Sequence, residues 1–226
     1  MGEDSPARPG CFITIEGIDW CGKTTQAVRL AKWLSDSGHS VLGTREPGAT
    51  TAGQVIRSLL LDTIYEGLSA RCEVMLFLAD RAQHIDEVVR PALREGRVVV
   101  CERYTDSTLA YQGYGRGLDV DLLRRLNALA TGDLVPDLTI LLDLDPEQAA
   151  QRRFQAGADR PPRMADRMEG EADEFRRRVA AGYLELARSE PDRFRVIDAG
   201  GSIDEVAARV TQVASEFLAA REGGAS

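Results

Sequence analysis

The stretch Gly17-Ile18-Asp19-Trp20-Cys21-Gly22-Lys23-Thr24-Thr25 constrains this chain more than any other. It fits G-x-x-x-x-G-K-[ST], and it stands where that pattern has physical meaning. Ahead of it, Cys11 to Glu16 (CFITIE) is a short apolar, β-branched run that reads as a buried strand. Behind it, Gln26 to Ser37 carries Ala27, Leu30, Ala31 and Leu34 at helical spacing. A loop between such a strand and helix turns its backbone N–H groups inward, and the helix N-terminus adds partial positive charge. The segment is therefore built to hold phosphate. In that arrangement Lys23 reaches the β- and γ-phosphates of a nucleoside triphosphate, and the Thr24 hydroxyl binds Mg2+. What remains is where the phosphoryl group goes.

Further apolar runs predict strands at Ser40 to Thr44, Arg97 to Cys101, Leu138 to Leu144 and Arg193 to Ile197. Helical patterns fill the intervals: Thr51 to Leu61, Ala70 to Glu95 with a break at Pro91, Asp119 to Thr131, Pro146 to Arg153, Glu171 to Arg188 and Ser202 to Arg221. This alternation predicts an α/β fold, a doubly wound parallel sheet of five strands with helices on both faces and ligands at the strands' C-terminal edge. The 226 residues, 43% hydrophobic, suit a single domain spanning 1–226 with an ordered core over about 11–221.

A formal net charge of −8 argues against a nucleic-acid surface and makes each arginine cluster stand out. No run of about 18 apolar residues exists, so no membrane partner is expected. Met1 to Pro9 is acidic and lacks the basic-then-apolar layout of a signal peptide. Cys11, Cys21, Cys72 and Cys101 show neither metal-ligand nor disulfide-framework spacing, which fits a reduced, cytoplasmic compartment.

Two loops at predicted strand ends carry arginine: Thr44-Arg45-Glu46-Pro47-Gly48 and Glu102-Arg103-Tyr104-Thr105-Asp106-Ser107. Both fall on the edge of the sheet that carries the phosphate loop. Guanidinium binds phosphate through two parallel N–H bonds, so two such residues suggest a second anion beside the triphosphate. The competing reading is a pair of structural ion pairs with Glu46 and Asp106.

On these segments the chain resembles thymidylate kinases of the bacterial type, which have a P-loop nucleoside monophosphate kinase fold. The resemblance runs through Phe12 to Gln26 (FITIEGIDWCGKTTQ), Thr44 to Thr50 (TREPGAT) and Leu76 to His84 (LFLADRAQH). It continues through Glu102 to Gly117 (ERYTDSTLAYQGYGRG), Pro136 to Asp145 (PDLTILLDLD) and Asp166 to Tyr183 (DRMEGEADEFRRRVAAGY). It implies phosphoryl transfer from ATP to dTMP, giving dTDP and ADP with Mg2+, as a step toward dTTP, in a homodimer packed through the Ala70 to Arg90 helix. It further implies that Gly17 to Thr25 bind ATP, that Phe77 stacks on thymine and that Arg81, one helical turn on, donates to O4 of the base. By the same resemblance Arg45 and Arg103 hold the acceptor phosphate, and Asp19 meets the 3′-hydroxyl or the Mg2+ shell. Ser107 and Gln112 line the base pocket, Tyr111 closes the 2′ side of the sugar, and Glu102 contacts a magnesium-bound water or the phosphate-loop lysine.

The Arg- and Pro-rich stretch Ala156 to Asp166 resembles the family's lid over ATP, and the lid is expected over about 153–168. Family members supply a charge-stabilising arginine either from the phosphate loop or from the lid. Trp20 occupies the loop position, so the lid must supply it. Arg167 matches best, with Arg163, Arg160 and Arg153 beside it.

Three positions depart from the family pattern. Glu102 stands where Asp is usual, Ala49 where Gly is common, and Trp20 where Gly or Arg is frequent. Alternatives are a kinase of another nucleoside monophosphate or of a deoxynucleoside; the latter would need a carboxylate base such as Glu102. A guanine-reading Asn-Lys-x-Asp element is missing, since Asn127 precedes Ala128.

Overall fold

The computed structural model describes residues 10–65, 67–157 and 172–223. Its frame is set by apolar runs too short and too continuous for surface helices, which become strands; the three central ones are buried on both faces and the two edge strands are partly exposed. These are β1 (Cys11–Glu16), β2 (Val41–Arg45), β3 (Val98–Glu102), β4 (Leu138–Asp143) and β5 (Phe194–Asp198). All pair in parallel in the order β2-β3-β1-β4-β5, with Thr14 opposite both Cys101 and Thr139. The helices are α1 (Lys23–Asp36), α2 (Thr51–Leu61), α3 (Ala70–His84), α4 (Arg90–Arg94), α5 (Thr105–Thr108), α6 (Val120–Thr131), α7 (Pro146–Gly157), α8 (Asp173–Ser189) and α9 (Ile203–Gly223).

Alternate residues of the central strands face opposite layers. Ile13, Val98 and Val100 pack with Leu30 and Leu34 of α1 and with Val206 and Val210 of α9. Phe12, Val99 and Cys101 pack instead with Ile85, Val89 and Ala92. Helices therefore cover both faces, and β1 delivers its C-terminal loop to the centre of the sheet edge.

Several boundaries differ from the sequence expectation. Helix α1 begins at Lys23 rather than Gln26, because the last residues of the phosphate loop form its first turn. The Ala70 to Glu95 helix is not broken at Pro91. It runs on through a π-helical turn at Ile85–Val89, and this locally altered bonding directly precedes Pro91, the residue that cannot donate an N–H to the turn before it. Helix α7 runs four residues past Arg153, to Gly157. Helix α5 and the π-helical segment Leu109–Gly115 that continues it were not expected. Among the described residues no helix is long and apolar enough to cross a membrane.

Candidate active site

One cavity of about 380 Å3 opens at the C-terminal edge of the sheet. The phosphate loop lines it through Asp19, Trp20, Gly22, Lys23, Thr24 and Thr25. The β2 loop contributes Arg45, Glu46 and Pro47, and the β3 loop contributes Glu102, Arg103 and Ser107. Phe77 and Arg81 reach it from α3, and Tyr111 and Gln112 from the π-helical segment. Every residue expected on the acceptor side thus meets the phosphate loop in one space. Glu46, Pro47, Arg57, Leu61 and Thr108 also line it and were not anticipated as site residues.

The loop needs unusual backbone angles. Gly17 and Gly22 have φ of 139° and 101°, and at Gly17 a Cβ would lie 2.6 Å from the Leu142 carbonyl oxygen. Trp20 holds φ 68°, a left-handed conformation that costs a bulky L-residue about 1–2 kcal/mol and explains why glycine suits this position. Lys23 is buried; its ammonium donates to the Ile18 carbonyl at 2.6 Å. Thr24 donates to Glu102 Oε1 at 2.8 Å. Gly17, Ile18 and Cys21 do not line the cavity: the first two offer carbonyls to Arg103 and Lys23, and burial pushes the Cys21 thiol up, away from reactivity.

Arg103 is the hub. It too has positive φ, 66°, which aims its side chain back across the phosphate loop. Nη2 donates to Asp19 Oδ1 and to the Tyr111 hydroxyl at 3.2 Å; Nη1 donates to Ser107 Oγ at 3.1 Å and the Gly17 carbonyl at 3.3 Å. The guanidinium also lies 5.0 Å from the centre of the Tyr111 ring. Tyr111 donates in turn to Asp19 Oδ2 at 2.9 Å. Burial pushes the Asp19 carboxyl up, but the charges of Arg103 and Lys23 and the Tyr111 hydroxyl outweigh it and hold the group below its usual range.

The structural ion pairs considered for Arg45 and Arg103 do not form. Glu46 goes to Arg81 and His84, and Asp106 is held by both terminal nitrogens of Arg193 at 2.7 Å. Arg45 is exposed at the cavity and makes no hydrogen bond or ion pair with any described residue. In the same loop the positive φ falls on Gly48, at 104°, so Ala49 meets no strain.

Arg81 is fully buried although it borders the cavity. Nε donates to Glu46 Oε2 at 2.8 Å, Nη1 to Thr108 Oγ1 and Asn127 Oδ1 at 2.9 and 2.6 Å, and Nη2 to the Tyr104 carbonyl at 2.9 Å. Four of five N–H groups are used within the fold, leaving one on Nη2. Arg153 sits on α7 away from the cavity lining, whereas Arg160, Arg163 and Arg167 lie outside the described residues.

Behind Arg103 stands Glu16, at the buried end of β1. It accepts from Tyr104 N–H at 2.6 Å, Ser107 Oγ at 2.7 Å and the Tyr183 hydroxyl at 3.0 Å. Burial, reinforced by Asp106, pushes its carboxyl up to about 7 from an ordinary 4.5. Across that window the native state holds a proton that the unfolded chain has released. Stability from this group therefore falls as pH rises from 4.5 to about 7 and is level above. Relative to Glu16→Gln, which cannot titrate, the wild type is expected to lose up to about 3 kcal/mol over this window. Urea unfolding of both proteins across the pH series measures it; a constant difference would refute the assignment.

A phosphate loop leaving the central strand of a 2-3-1-4-5 parallel sheet, with arginines from the two neighbouring strand ends beside it, defines a kinase of the P-loop nucleoside monophosphate class. Comparison with known proteins narrows the class. The sequence profile of the family described as thymidylate kinase matches residues 15–210. Thymidylate kinase of Solidesulfovibrio magneticus is 52% identical over 208 residues, 92% of this chain and 100% of that one. Thymidylate kinase of Gloeobacter violaceus is 47% identical over 92% of this chain and 95% of its own. The crystal structure of thymidylate kinase from Ehrlichia chaffeensis superposes with a TM-score of 0.74 at 34% identity, covering 90% of this chain and 98% of that one. The chain belongs to the thymidylate kinase family.

Proposed function

We propose that the chain transfers the γ-phosphoryl group of ATP to dTMP, giving dTDP and ADP, as a single-domain cytoplasmic enzyme on the route to dTTP. The observation that carries this reading is the shared cavity, in which the phosphate loop, the Arg45–Arg103 pair and the Phe77–Arg81–Gln112 end face one another. ATP phosphates lie on the N–H groups of Gly17 to Thr25 with Lys23 among them. The acceptor phosphate lies against Arg103 and the exposed Arg45. The sugar meets Asp19 and Tyr111, and the base stacks on Phe77 with O4 toward the remaining N–H of Arg81.

No general base is needed. A phosphate monoester with a second pKa of ~6 is already largely a dianion at neutral pH, so alignment and charge neutralisation suffice. This fits Glu102, which accepts from Thr24 and so stands on the triphosphate side rather than beside a nucleoside hydroxyl. Thr24, Glu102 and Asp19 present hard oxygen donors and suit Mg2+, which when bound neutralises phosphate charge. Arg167, with Arg163 and Arg160, completes that neutralisation from the lid. Exposed Val55, Met75, Leu122 and Leu129 on the adjoining helices α2, α3 and α6 supply an apolar face for a homodimer.

The test is ADP release from ATP and Mg2+ with dTMP, dUMP, dCMP, dGMP, UMP and thymidine offered separately. A response dominated by dTMP is expected. A response to thymidine, or to none of the six, would overturn the acceptor assignment and leave the phosphate loop alone.

A further inference from the structure

A buried acid stands behind the base end of the cavity. Glu73, in the first turn of α3, has no exposed surface and does not line the cavity. Its Oε1 accepts from Gln112 Nε2 at 2.9 Å and from Arg116 Nε at 2.6 Å; its Oε2 accepts from Arg116 Nη2 at 3.0 Å. Gln112 is 1% exposed and does line the cavity. A carboxylate can only accept, so it dictates which end of the Gln112 amide faces it. The NH2 turns to Glu73, and the planar amide sets its carbonyl oxygen on the opposite side. That oxygen has no hydrogen-bond partner among the described residues.

We propose that Glu73 is a positioning residue for pyrimidine selectivity. It locks the Gln112 amide with its carbonyl toward the base, where that oxygen accepts N3–H of a 4-oxopyrimidine while Arg81 donates to O4. The proposal rests on the reading of the cavity as the dTMP site. Thymine presents a donor at N3 and an acceptor at O4, which this pair matches. Cytosine presents an acceptor at N3 and an amino donor at C4, which mismatches both. To take cytosine the Gln112 amide would have to turn over, setting its carbonyl against the Glu73 carboxylate. Glu73, paired at both oxygens with Arg116, has no proton to place between them. A free glutamine would read either base; this one is held to a single reading by a group that never touches substrate.

Glu73→Gln keeps the size but can donate as well as accept, which frees the Gln112 amide to turn. The dTMP-to-dCMP ratio of kcat/KM is expected to fall about ten- to a hundredfold, through KM, with kcat for dTMP within a few-fold of wild type. In a Gln112→Leu background the same substitution is expected to leave the ratio unchanged, because the lock has nothing to hold. Should Glu73→Gln not fold, Glu73→Gln/Arg116→Met removes anion and cation together and carries the same expectation. An acid that only ties α3 to the following segments would, when replaced, lower the melting temperature and both turnovers while keeping the ratio. That result would overturn the proposal, as would a further fall in ratio in the Gln112→Leu background. A wild type inactive on dTMP would remove the base site and this proposal with it. A selective wild type whose variants keep the ratio would overturn the role of Glu73 alone.

Discussion

Lys23→Ala is expected to lower phosphoryl transfer by at least about 1,000-fold, about 4 kcal/mol of transition-state stabilisation, while leaving the sheet intact. The ammonium sits in the first turn of α1, buried beside the loop, and donates to the Ile18 carbonyl two residues before Trp20. Its local contribution is that hydrogen bond, about 1 kcal/mol, and a weak one to Cys21 Sγ at 3.8 Å. During transfer, charge spreads over the oxygens of the moving phosphoryl group, and a fixed cation in a water-poor loop then acts far more strongly than in bulk solvent. Lys23→Met separates the two roles, since it keeps the buried stem and removes the charge. Both variants should lose kcat for dTMP to a similar degree, and Lys23→Met should melt close to wild type. Turnover near wild type in Lys23→Met would refute the phosphate-loop assignment.

The frame of the fold was legible because its strands, the central three of them buried on both faces, read as short apolar runs. Three of their C-terminal ends read one residue short, whereas the fourth strand, read to Leu144, ends one residue earlier at Asp143. The short readings stop before Arg45, Glu102 and Asp198, which close their strands but are charged. All five C-terminal strand ends of this parallel sheet lie on the ligand edge, where polar residues do the work and hydrophobicity gives no guide. The segment after Tyr104 was missed for a different reason. Gly113 and Gly115 argue locally against a helix. Their reason is tertiary: a Cβ on Gly115 would lie 2.6 Å from the Phe175 ring of α8 and one on Gly113 would lie 3.0 Å from Val120 of α6, so the glycines let this segment press against both helices. The phosphate-loop residues, Arg45 and Arg103 could be named because they follow strands in sequence, whereas Phe77, Arg81, Tyr111 and Gln112, on helical segments, were named only through the family resemblance. The residues that hold them could not. Glu16 meets Tyr183 across 167 positions and Glu46 meets Arg81 across 35, and nothing local marks either pair. The family resemblance pointed Arg81 at the cavity it lines, but not at the centre of a buried network that uses most of its donors.

Arg103→Lys tests whether the site depends on a charge or on a planar fork. The guanidinium bridges two groups of partners at once, Asp19 and Tyr111 through one nitrogen, Ser107 and Gly17 through the other. A lysine ammonium carries the same charge on a single atom and cannot span both sets. It would keep Asp19 neutralised but lose the fixed direction of the donors toward the acceptor phosphate. Arg103→Lys is therefore expected to lower kcat/KM for dTMP by about 100-fold, since misplacement of a positioning group by about 1 Å costs that much. Arg103→Ala should cost more, about 1,000-fold or beyond, because it also leaves the Asp19 carboxylate unpaired beside an incoming dianion. ADP affinity, which depends on the other side of the cavity, should change little in both. The two losses should also differ in kind. With lysine, KM for dTMP rises modestly and kcat carries most of the defect; with alanine, both fail. Equal, small losses in the two variants would mean that Arg103 serves only to neutralise Asp19, and the acceptor phosphate would then have to be reassigned to Arg45.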